Sequence, residues 1–223
     1  MLDIVFISYD EPFADENFAL LKERFPYAMR VHGVKGIAHA HFAASKKANT
    51  RFFYVVDADA KILPSFNFDY KPSIDKQDYT HIWKAYNAII DDSYGYGGVK
   101  LFSKKFFKDP NLSFLDFSTT LTKDVEYMDE ISCNTEFYYG EKQAFRGAFR
   151  EASKLTIQMR NIGISESMRE AASRRLDKWL NPKDLINSEF VYRGVIEGIN
   201  SVNKQIIDIN DFTQVDEKFK KGN

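Results

Sequence analysis

The sequence predicts an α/β fold, with a mainly parallel central sheet joined by crossover helices and a helical C-terminal third. Three observations carry this. Short β-branched and aromatic runs alternate with segments of helical period through the first 60 residues, the pattern of strand–helix–strand units. From about Glu141 the apolar spacing becomes helical and stays so. The composition is that of a folded chain, 44% hydrophobic and 28% charged over 223 residues, a length that suits one domain. No long linker, internal repeat or low-complexity tract interrupts it. The expected organisation is a single domain, 1–223, made of an α/β core (1–102), a mixed region (103–140) and a helical part (141–223).

Each element has its own signal. Ile4–Ser8 (IVFIS) reads as a buried strand that stops at Tyr9-Asp10-Glu11-Pro12. Phe18, Leu21 and Phe25 fall three and four apart, which predicts a helix from Phe13 to Phe25 closed by Pro26. Tyr27–His32 is expected to be a second strand. Gly33 and Gly36 bracket a turn into an alanine-rich helix, Ile37–Ala48, whose last turn holds Lys46 and Lys47 where cations suit the helix dipole. Phe52–Val56 is the third strand. In sheets of this kind ligands bind at the carboxyl ends of the strands. That rule gathers Ser8–Glu11, His32–Lys35 and Asp57–Asp59 on one rim.

Further on, Thr80–Ala85 and Gly98–Phe102 read as strands flanking a loop, Asp91–Gly97. Ser103–Ser118 is mixed, with room for a short helix. Helices follow at Lys142–Lys154, Ser165–Leu180 and Glu189–Lys204, and the charged tail from Asp216 is expected to fray.

Composition also excludes. A formal net charge of −1 does not make the whole molecule a polyanion binder, so nucleic acid would need a local patch. One cysteine, Cys133, forms no intrachain disulfide and no thiolate zinc site, and is in keeping with a reducing cytoplasm. The opening MLDIVFISYDEP has no basic segment before its apolar run, unlike a signal peptide, and no apolar run approaches the roughly 20 residues that span a bilayer. The expected compartment is the cytoplasm, with no membrane partner.

The stretch FFYVVDADAKI (52–62) holds the sharpest signal. A buried strand ends in Asp57 and Asp59, two carboxylates two residues apart, which strand geometry projects to one side. Hard oxygen donors at a sheet rim suit Mg²⁺ or Mn²⁺. Such an ion would neutralise a diphosphate leaving group.

Residues 33–62, GVKGIAHAHFAASKKANTRFFYVVDADAKI, resemble the donor-binding core of GT-A glycosyltransferases, a Rossmann-like fold in which a small-residue helix precedes a strand ending in D-x-D. The resemblance implies a nucleoside-diphosphate sugar donor, UDP-linked by expectation, with Asp57 and Asp59 holding the metal and Asp59 the more direct ligand. Gly36 and Ala38 match the helix entry. His41 and Phe42 stand where Arg and Asn are usual, leaving Lys35, His39 or His41 for the diphosphate. Ser8, Tyr9 and Asp10 match positions that hold nucleobase and ribose. YGYGGVKLF (94–102), AFRGAFREASKL (144–155), RLDKW (175–179) and RGVIEGIN (193–200) resemble short GT-A-like proteins of tailed bacteriophages. That narrower resemblance implies a host cytoplasm and, as acceptor, hydroxymethylated pyrimidines in double-stranded phage DNA.

Other residues are assigned beside these. Tyr94, Gly97 and Gly98, with Trp83 and Lys100 flanking, are candidates for donor-sugar or acceptor contact, since tyrosine faces stack and glycines allow close approach. Lys142, Arg146, Arg150 and Lys154 recur every fourth residue. Eight basic against three acidic residues from 142 to 175 leave a surplus of five. Arg146 and Arg150 therefore serve either donor phosphate or a DNA backbone. An inverting transferase needs a carboxylate base. The candidates are Asp124, Glu126, Asp129, Glu130 and Glu136, with Asp129 and Glu130 favoured. Sugar nucleotidyl transfer is the rival activity, although the loop SYDEPF lacks that class's glycine-rich, basic character. A non-catalytic nucleotide-sugar-binding module is the other.

Overall fold

A computed structural model describes residues 1–109, 111, 116–122, 124–204, 209 and 211–221. The chain divides into two compact units, one of residues 1–87 and 92–136, the other of residues 88–91 and 137–223.

The first unit is built on an eight-stranded sheet: β1 (Asp3–Ser8), β2 (Met29–His32), β3 (Phe52–Asp57), β4 (Ala60–Ile62), β5 (Thr80–Asn87), β6 (Asp92–Tyr94), β7 (Val99–Ser103) and β8 (Val125–Thr135). The order is β2-β1-β3-β7-β5-β8-β4, with β6 hairpinned onto β5. β1 pairs in parallel with β2 and β3, and β5 with β8, whereas β7, β4 and β6 run the other way. Five strands thus share one direction, in a mixed sheet of Rossmann-like α/β type.

The central strands are buried on both faces, as crossover helices require. Ile4 and Phe6 join Tyr54, Val56, Trp83 and Leu101 in one apolar layer. Their neighbours Val5 and Ile7 join Phe53, Val55 and Phe102 in the other. Helix α1 (Ala14–Arg24) covers part of the sheet, with Asp15 and Glu16 in its first turn and Lys22 and Arg24 in its last, both suited to the dipole. Helix α2 (Ile37–Lys47) starts from Gly36, whose φ of 91° is left-handed and open to glycine. A one-turn helix, α3, spans Phe117–Thr120.

The second unit is helical: α4 (Glu141–Arg160), α5 (Glu166–Leu180), α6 (Ser188–Lys204) and α7 (Phe212–Lys221). A Cβ on Gly194 would lie 2.4 Å from the Phe145 carbonyl oxygen, and one on Gly198 2.5 Å from that of Phe149, so α6 lies directly on the α4 backbone. Among the described residues no helix is long and apolar enough to cross a membrane.

Three expectations change. The loop expected over Asp91–Gly97 contains β6, which pairs Ala85 with Tyr94. The tail from Asp216 is helical, because Val215 is fully buried and Phe219 packs against Phe145 and Phe190. The mixed region holds the eleven-residue strand β8. Of the expected Ser103–Ser118 segment, residues 110 and 112–115 lie outside the described residues.

Candidate active site

The turn Asp57-Ala58-Asp59 carries the chain from β3 into β4, and three elements hold it. The Asp57 backbone N–H donates to the Gly98 carbonyl at 2.9 Å, and the Glu136 N–H donates to the Asp59 carbonyl at 2.7 Å. From α1, the Asn17 side-chain amide donates to the Ala58 carbonyl at 3.0 Å and to the Glu136 carboxylate at 3.1 Å. Gly98 is small for a reason: a Cβ there would lie 2.9 Å from Cys133 Sγ and 3.2 Å from Ala60 Cβ.

The two aspartates are treated differently. Lys100, on β7, donates from Nζ to both Asp57 carboxylate oxygens at 2.8 Å. Its side chain is 4% exposed. Asp59 forms no salt bridge among the described residues. Burial, then the charges of Asp57 and Glu11, push its pKa up to about 7, against a smaller opposing pull from Lys100. Glu11 is raised as well, by burial first and also by Asp10 and Asp57, although its carboxylate accepts the Tyr9 N–H at 2.7 Å. Three carboxylates therefore feel one another's charge, and the one ammonium beside them pairs directly with Asp57.

That surplus of hard negative charge fits Mg²⁺ or Mn²⁺. Among the described residues no group of three or more His, Cys, Asp and Glu side chains is arranged to hold an ion alone. Two carboxylates match an ion that takes its remaining ligands from water and substrate phosphates. The nearby Cys133 thiol is no competing ligand, since burial, reinforced by Asp59 and Asp57, holds its pKa up at about 12.

Ser8, Tyr9 and Asp10 lie at the carboxyl end of β1. The Ser8 hydroxyl accepts from Arg30 Nε at 2.8 Å and stands 3.0 Å from His32 Nδ1, so it fixes two side chains of β2. Tyr9 is half exposed. Lys35, Gly36 and His39 are exposed around the start of α2.

Two predicted contacts are corrected. His41 is fully buried, with Nδ1 2.8 Å from the Ile37 carbonyl and its ring against Phe102 and Phe117; it is a core residue and not displayed at the rim. Trp83, 1% exposed, packs on Tyr54, Phe66 and Tyr70. Tyr94 is also buried and meets Tyr96 edge-on, whereas Gly97 and Gly98 border the aspartate turn. The exposed ring in this region is Tyr127 of β8, which fills the space that a Gly95 side chain would need. No alternation of residue types marked it.

Asp129 and Glu130, the favoured bases, occupy a bulge in β8. Trp83 pairs with Met128 and Lys84 with Ile131, leaving 129 and 130 without partners on β5. Both are exposed, and Asp129 forms an ion pair with Lys84 at 2.7 Å. The acidic residue of that segment that reaches the aspartate turn is Glu136, 11% exposed and 3.4 Å from Lys61. Sequence puts Glu11 on the rim, Lys100 beside the glycine-rich loop and Glu136 among five candidate bases; spacing does not show that they neighbour the aspartate turn. In the second unit, Arg146 makes a two-pronged bond to Asp216, at 2.6 Å for each arm, and both Arg146 and Arg150 lie over Phe212.

No family model matches the chain. No curated protein matches it. Among solved structures it is similar to the inositol-1-phosphate CTP transferase from T. maritima, at 13% identity and a TM-score of 0.36, over 58% of this chain and 66% of that one. A likeness this distant leaves the function to the geometry.

Proposed function

We propose that the chain is a divalent-metal-assisted glycosyltransferase that takes its sugar from a nucleoside-diphosphate donor, UDP-linked by preference. The observation that supports this most is the aspartate turn itself. Asp57 and Asp59 end a buried strand at the carboxyl rim of the sheet and share a field with Glu11, and the one ammonium there, Lys100, is bonded to Asp57. Asp59 would hold the ion, which when bound would neutralise charge building on the departing diphosphate. Tyr9 and Asp10 would meet the nucleoside, and Lys35, Gly36 and His39 the phosphates. Glu136 replaces Asp129 and Glu130 as the favoured base for the acceptor hydroxyl, because it stands against the turn. The acceptor that goes with this reading is a hydroxymethylated pyrimidine in duplex DNA.

The test is turnover. With Mn²⁺ and a panel of nucleoside-diphosphate sugars, one donor is expected to release nucleoside diphosphate slowly, and Asp59→Ala to abolish the release. Hydroxymethylated duplex should accelerate it, and unmodified duplex should not. Exchange of pyrophosphate into a nucleoside triphosphate would instead establish nucleotidyl transfer. Binding of nucleotide with no turnover on any acceptor would leave a binding module.

A further inference from the structure

We infer that Lys100 is a tethered counter-ion that competes with the divalent ion for the aspartate site and sets the site's affinity; this rests on the metal-binding reading above. The two acids of the turn have separate duties in the metal-free protein. Both oxygens of Asp57 point at Lys100 Nζ, and the pair is largely withdrawn from water, at 24% and 4% side-chain exposure. Asp59 has no such partner among the described residues. It is the acid left to meet an incoming ion.

The lysine is held where it stands. Its strand position is pinned on both sides, against Val55 of β3 and Ile82 of β5. Gly97, at φ 91°, leaves room above it: a Cβ there would sit 3.7 Å from Lys100 Cδ and 3.9 Å from Nζ. A bulkier residue at 97 would press on the ammonium. Strand pairing fixes the lysine's backbone and burial keeps its ammonium beside Asp57, so a divalent ion bound at Asp59 feels that charge in a poorly screened setting.

The charge count gives an unusual forecast. Glu11, Asp57 and Asp59 against Lys100 leave two net negative charges. Removing the ammonium alone leaves three and takes Lys100 off the Asp57 carboxylate. Removing Lys100 and Asp57 together restores two, with Asp59 untouched.

Mn²⁺ binding to the full chain at pH 8, with and without saturating UDP, read from the loss of the free-ion electron paramagnetic resonance signal, tests this. Lys100→Gln is expected to bind Mn²⁺ at least about tenfold more tightly than wild type. Lys100→Gln with Asp57→Asn should return to within about threefold of wild type, since the pair's charges cancel. If Lys100 only braces a ligand, Lys100→Gln binds equally or more weakly and the double variant loses the ion; either result overturns the inference. Asp59→Asn separates the two levels. Its loss of Mn²⁺ binding without tightening in Lys100→Gln leaves the metal site standing and sinks only the competition. No binding by wild type, even with UDP, sinks both. Should Lys100→Gln fail to fold, the double variant, which removes the Lys100–Asp57 pair as a unit, decides alone.

Discussion

His41 and Asp59 show how far a single side chain's surroundings bend its chemistry. Burial, helped by the charge of Lys100, holds the His41 pKa well below its usual 6.5. A group with a depressed histidine pKa is neutral in the fold and takes up a proton on unfolding. Its contribution is thus intact above pH 6.5 and lost as pH falls below it, at about 1.4 kcal/mol per pH unit until the folded pKa is reached. Urea melts from pH 8 to pH 5 should show this loss, and His41→Met should shed that part of the slope. A slope unchanged by the substitution would place His41 in water. The sequence marked His41 as a phosphate contact because helical register alone does not say which side faces the sheet. It singled out Asp57 and Asp59 as a candidate metal pair because a buried strand ending in two acids is a local pattern. Lys100 reads in sequence only as a flank of the glycine-rich loop, because its partner is 43 residues away, joined only by the antiparallel β3–β7 pairing.

Among the elements, helices and the first three strands were legible because apolar period and glycine punctuation are local. β8 was not, since its bulges at 129–130 break the period of two and mix acids with apolar residues. α7 was hidden by charge, although Val215 and Phe219 are spaced as a buried stripe. The spaced glycines of α6 gain their meaning only from α4. Gly198→Ala would push a methyl to 2.5 Å from a backbone oxygen that cannot yield. It should destabilise by about 1–3 kcal/mol, visible as a drop of several degrees in Tm. Ala on the exposed Ser167 of α5 serves as the control. An unchanged Tm for Gly198→Ala would mean the helices stand farther apart.

At the scale of the whole molecule, a net charge of −1 hides local surpluses of both signs. The basic run of α4 reads in sequence as a polyanion surface, yet Arg146 is closed on Asp216 by two short bonds. Both partners are partly buried, so Asp216→Ala, which removes the two-pronged carboxylate, should cost about 1–3 kcal/mol by urea melt. The same variant takes one carboxylate away from Arg146, and retention of duplex DNA at low salt should rise. Loss of retention would assign the DNA contact elsewhere. The acidic surplus of the first unit makes the opposite forecast. Asp59, raised to about 7 from an unfolded value near 3.8, weakens the metal-free fold as pH rises through that interval.

The most direct measurement is therefore a pair of melts of wild type and Asp59→Asn at pH 8, each with and without Mn²⁺. The account predicts that the metal-free variant melts higher than wild type, by about 1–3 kcal/mol of stability, and that Mn²⁺ raises the Tm of wild type alone. A variant that melts lower and still responds to Mn²⁺ as wild type does would contradict it.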